Sequence, residues 1–217
     1  MSAKGWIKRV QSLKKKTLER KTLEWLEKKN KVGKIVWKVT SKEEYDLKKV
    51  KYITVKQGER AALFNSGIFI RLLPPGKSII SGSFDTAYFL DITPQTNKVG
   101  IRAPDYPITS DEKSFGFSGN IILKIMDDRA SIGNFITKIV EKYSILETKE
   151  IVRWLRDGLL FQVFKEIIRE FSYTAFINVE RLSLLIELES RLGAELRDYG
   201  LEVLSLELMH FTPARVF

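Results

Sequence analysis

At Asp127-Asp128 the hydrophobic pattern of the chain changes period, from about two residues to about 3.6. That switch restricts the fold more than any other feature. Upstream, short apolar runs alternate and are cut by turn residues. Lys34 to Val39 reads as a strand, and Ser41 to Lys51 is polar. Tyr52 to Lys56 and Arg60 to Phe64 follow, separated by a turn at Gln57-Gly58-Glu59. Asn65-Ser66-Gly67 has hairpin chemistry, with Asn and Gly expected to take the positive φ angles. Ile68 to Leu73 returns and Pro74-Pro75-Gly76 stops it. Lys77 to Ile80, Ala87 to Ile92, Lys98 to Ala103 and Phe115 to Met126 complete the strand series.

Downstream, Ala130 to Lys142 reads as a helix, with Asp128 as its cap. A longer helix from Thr148 places Ile151, Trp154, Leu155, Leu159, Phe164, Ile167, Ile168 and Phe171 on one side. A third, capped by Asn178, has the stripe Leu182, Leu185, Ile186, Leu192 and Leu196. Tyr199-Gly200 ends it at the position where helices favour glycine. Leu201, Val203, Leu204, Leu206 and Leu208 then form a closing strand. Strands, then helices, then one strand is an α+β order. The expected organisation is an N-terminal extension over 1–33, a strand and polar connector over 34–50, one folded domain over 51–213 and a tail over 214–217.

Charge divides the chain differently. Residues 1–57 hold 18 Lys and Arg against 6 Asp and Glu, a net +12, whereas residues 58–217 hold 19 against 21, a net −2. A basic arm on a nearly neutral body points to an anionic partner, phospholipid or nucleic acid. Residues 4–31 contain no proline and are expected to form an amphipathic helix. Trp6, Ile7, Val10, Leu13, Leu18 and Trp25 supply its apolar part, and Lys8, Arg9, Lys14, Lys15, Lys16, Arg20 and Lys21 its basic part. Tryptophan settles at headgroup depth while lysine stems snorkel, so these thirteen residues are the candidate membrane contact. Packing of the apolar stripe on the protein's own body, or use of the arm on nucleic acid, are the competing readings.

Other chemistries find little to work with. The chain has no cysteine and one histidine, His210, which excludes thiolate metal sites, cysteine nucleophiles and multi-histidine centres. Gly76-Lys77-Ser78 resembles the end of a phosphate-binding loop, but Arg71 stands where that loop needs glycine. Asp111-Glu112, Asp127-Asp128 and Glu187/Glu189 lack the spacing of an EF-hand loop. No apolar run reaches the roughly 18 residues of a membrane span, and no secretory signal opens the chain. Catalytic, metal and cofactor sites are all expected to be absent, and the protein is read as cytoplasmic and peripheral to membrane.

Several segments together resemble one family. Val55-Lys56-Gln57-Gly58-Glu59-Arg60-Ala61-Ala62-Leu63 with Gly67 and Leu73-Pro74-Pro75-Gly76 is similar to the opening hairpin and proline-glycine turn of the SPFH domain (band 7, stomatin/prohibitin-like). Tyr88 to Gln95 stands where that domain has a strand entering a turn. Ile108-Thr109-Ser110-Asp111 resembles its Thr-x-Asp corner, and the run Ser118 to Asp128 its long strand and acidic turn. Arg156-Asp157-Gly158-Leu159 and Tyr199 to Val203 resemble its helical region and closing strand. Ile35 to Val39, with Trp37-Lys38, is more similar to the virion-core-like branch. The resemblance covers residues 51 to 213. It implies an SPFH-type strand-rich first half, C-terminal helices and a closing strand. It also implies a non-enzymatic scaffold that forms homo-oligomers, marks membrane microdomains and regulates clients such as proteases or channels. Stomatin-like members carry a hydrophobic hairpin before the domain and a long coiled coil after it. Here the basic stretch stands in the first place and the chain stops at Phe217, so attachment is expected to be peripheral.

Overall fold

The computed structural model describes residues 34–40, 47, 50, 52–101, 106–145, 147–174 and 181–213. The expected helix over 4–31, the Asn178 cap and the tail over 214–217 lie outside these residues. The chain divides into two compact units, one up to Phe89 and one from Leu90.

The first unit is built of strands. β1 (Val36–Thr40), β2 (Tyr52–Val55), β3 (Glu59–Asn65), β4 (Ile68–Leu73), β5 (Gly76–Ile79) and β6 (Thr86–Asp91) follow in order, the last running two residues past the division. Four of them form a sheet in the order β1-β6-β3-β4, and β2 and β5 form an antiparallel ribbon. β3 and β4 are joined by Ser66-Gly67, whose φ angles of 51° and 77° give the type I′ geometry that matches strand twist. The two positive angles therefore fall on Ser66 and Gly67. Asn65 instead stays in β3, paired with Ile68. The Ser66 N–H is held by Asp85 Oδ2 at 2.6 Å, which fixes a residue that lacks glycine's freedom. Trp37, Val39, Leu47, Ile53, Val55, Ala61, Leu63, Leu73, Phe84, Ala87 and Phe89 make the core, with the Trp37 ring stacked on Phe89 at 5.4 Å.

The second unit holds a three-stranded antiparallel sheet, β7 (Gln95–Ile101), β8 (Phe115–Ile125) and β9 (Leu201–Pro213), in the order β7-β8-β9. Between β8 and β9 come the helices. α1 (Arg129–Phe135) widens into a π-helical segment (Ile136–Glu141). α2 (Thr148–Leu155) passes through a second one (Arg156–Leu160) into α3 (Phe161–Ile168), and α4 (Arg181–Arg197) leads to β9. The antiparallel sheets, helices and closing strand make this an α+β fold, as the change of period predicts.

Three details depart from ideal periodicity, each for a local reason. The π segment at Arg156–Leu160 adds a residue to the turn, so Leu160 is fully buried and Leu159 only half so. α4 buries Leu184, Leu188, Leu192 and Leu196, a row spaced by four, against β9 and α3. Leu182 and Ile186, expected in the stripe, are 68% and 62% exposed. The helix begins with apolar residues on every side, so period alone does not choose between rows there. Leu204 lies in a bulge of β9, skipped as Val203 pairs with Leu123 and Ser205 with Ile122, and it is turned outward.

Candidate membrane-contact and assembly surfaces

Every residue of the candidate membrane contact, from Trp6 to Trp25, lies outside the described residues.

In the first unit, cross-strand pairing of β2 with β5 sorts the ribbon into two faces. Ile53 and Val55 point to the core, and their partners Ser78 and Gly76 share that side. Tyr52 opposite Ile79, and Thr54 opposite Lys77, form the outer face. Ile79 is 78% exposed, the Tyr52 ring is half-buried, and Lys77 Nζ stands 4.1 Å from the centroid of that ring. Gly76-Lys77-Ser78 is thus extended strand, with neither the loop nor the following helix that a phosphate cradle requires. The sequence reading missed this face, because Tyr52 and Lys77 are far apart along the chain. The signal lay in the alternation of Ile53 and Val55 against Tyr52 and Thr54.

The second unit carries a polar corner between β7 and β8. The Thr109 hydroxyl donates to Asp111 Oδ1 at 2.6 Å, lies 2.8 Å from the Lys113 carbonyl oxygen, and accepts from the Lys113 N–H at 3.1 Å. Asp111 Oδ1 also accepts the Tyr173 N–H at 2.8 Å, and the Ser110 N–H reaches the Phe171 carbonyl at 3.0 Å. One threonine and one carboxylate thus tie the corner to the segment that follows α3. The Thr109 hydroxyl, then the Tyr173 N–H and more weakly the Lys113 charge, hold the Asp111 carboxyl below the ordinary carboxylate range. Thr109 is buried although polar, which is tolerable because its hydroxyl is satisfied on both sides.

This arrangement gives the Thr-x-Asp motif a physical role, and the chain around it completes the assignment. Residues 53–217 match the family model of the SPFH domain / Band 7 family. The chain belongs to that family. No curated protein matches it. The SPFH match runs from β2 to the C-terminal end, through both compact units.

The acidic pairs also find places in the SPFH fold. Asp128 caps α1, accepting the Ser131 N–H at 2.9 Å, as expected from the sequence. The Ser131 hydroxyl and then its N–H keep the Asp128 carboxyl below its usual range. Glu187 pairs with Arg191 one turn on. Among the described residues no group of three or more His, Asp or Glu could hold a metal ion. His210 stands opposite Ser118 in the β8–β9 register.

The depressed carboxyls set an acid dependence. Asp111 and Asp128 have folded-state pKa values below their unfolded values, so their contribution is complete above about pH 4 and is lost as pH falls through the folded values. Urea midpoints measured from pH 6 down to pH 2 should therefore fall. Asp128→Asn keeps a capping side chain but does not titrate, so it should flatten this dependence. Asp128→Ala should cost about 1 kcal/mol at neutral pH. A wild-type midpoint that stays level across the range would contradict the assignment.

Proposed function

We propose that this SPFH protein is a non-enzymatic scaffold. It docks peripherally on anionic membrane through its basic N-terminal segment and self-associates through the SPFH body. The observation that carries the reading is the charge partition, a net +12 in residues 1–57 and −2 beyond. Residues 1–31 alone carry 11 Lys and Arg against 3 Asp and Glu. At about 1 kcal/mol for each basic residue near an anionic leaflet, a net +8 is ample for peripheral attachment. Trp6 and Trp25, in a segment patterned as an amphipathic helix, supply the interfacial apolar contact.

Membership in the SPFH family supports the scaffold part of the reading, with clients such as proteases or channels as the class of partner. No helix among the described residues is long and apolar enough to cross a membrane. That leaves the basic segment as the candidate contact in this reading.

The test is co-sedimentation of the full-length chain and of residues 32–217 with neutral and anionic liposomes, at low and high salt. Pelleting of the full-length chain alone, with anionic lipid alone and more weakly at high salt, is the expected result. Equal pelleting of both chains would remove the arm from the mechanism. Pelleting of neither, with salt-steep binding of the full-length chain to duplex DNA, would assign the same arm to nucleic acid. Sedimentation velocity of the full-length chain, with and without vesicles, checks self-association.

A further inference from the structure

We draw no further inference here: the strongest candidate, the surface patch that Leu182 and Ile186 form one turn apart on the exposed side of α4, carries nothing because nothing in the structure shows what covers it.

Discussion

Gly200→Ala should cost on the order of 3–5 kcal/mol of stability. Gly200 has φ of 76°, where an L-residue pays about 1–2 kcal/mol. A Cβ added there would lie 2.0 Å from the Ser131 carbonyl oxygen and 2.7 Å from its carbon. Those are backbone atoms in the first turn of α1, so no side-chain rotation relieves the overlap. The same residue closes α4 by donating its N–H to the Arg197 carbonyl at 2.9 Å. It also starts the β8–β9 ladder, its carbonyl accepting the Met126 N–H at 3.0 Å. Moving Gly200 away from Ser131 therefore loosens a helix end, a strand end and a neighbouring helix together.

The matched comparison is Gly193→Ala. Gly193 lies within α4, and an added Cβ meets nothing within 4 Å. Alanine there should stabilise by about 0.5–1 kcal/mol, the ordinary gain for replacing glycine in a helix. Urea unfolding of both variants, followed by circular dichroism, should move the midpoints in opposite directions. A Gly200→Ala midpoint close to wild type would mean that the α4–β9 turn can relax away from α1, and the close approach would lose its significance.

Much of this architecture is legible in the sequence, and the exceptions have physical causes. The strands of the first unit can be read because they are short, several end at Gly, Pro or Asp, and β1, β2, β3 and β6 carry the apolar residues of the core. The Asp128 cap can be read because a helix start leaves N–H groups that a short acidic side chain satisfies within three residues. The buried row of α4 could not be chosen from sequence. Leu182, Leu184, Leu185, Ile186 and Leu188 crowd its first two turns, and only packing on β9 and α3 selects Leu184 and Leu188. Leu159 and Leu204 depart from the periodic pattern for a related reason. A π segment and a bulge each insert a residue that no periodic template carries. The Thr109–Asp111 corner is visible as a motif, but its link to Tyr173 joins residues about sixty positions apart and emerges only in the fold. The outer face of the β2–β5 ribbon is hidden in the same way. The arm from Trp6 to Trp25 rests on its sequence pattern, outside the described residues.

That arm gives the second large expected effect. Lys14→Glu, Lys15→Glu and Lys16→Glu combined in the full-length chain should lower its affinity for phosphatidylserine-containing vesicles by more than about a hundredfold. The three lysines together contribute about 3 kcal/mol at an anionic leaflet, and tenfold in affinity corresponds to about 1.4 kcal/mol. Reversing the sign adds repulsion to that loss, and residues 1–31 fall from a net +8 to +2. The remaining apolar residues, Trp6, Val10, Leu13 and Trp25 among them, are unchanged. A purely hydrophobic attachment would therefore survive the substitution. Vesicle co-sedimentation at low salt separates the two cases, because screening already weakens the electrostatic part once the Debye length falls to about 10 Å near 0.1 M salt. Isolating the arm further, Trp6→Ser with Trp25→Ser should weaken binding to the same vesicles with little change in its salt dependence. If instead the triple reversal binds vesicles as the wild type does, the charge partition has no part in attachment, and the basic excess must serve another anionic partner.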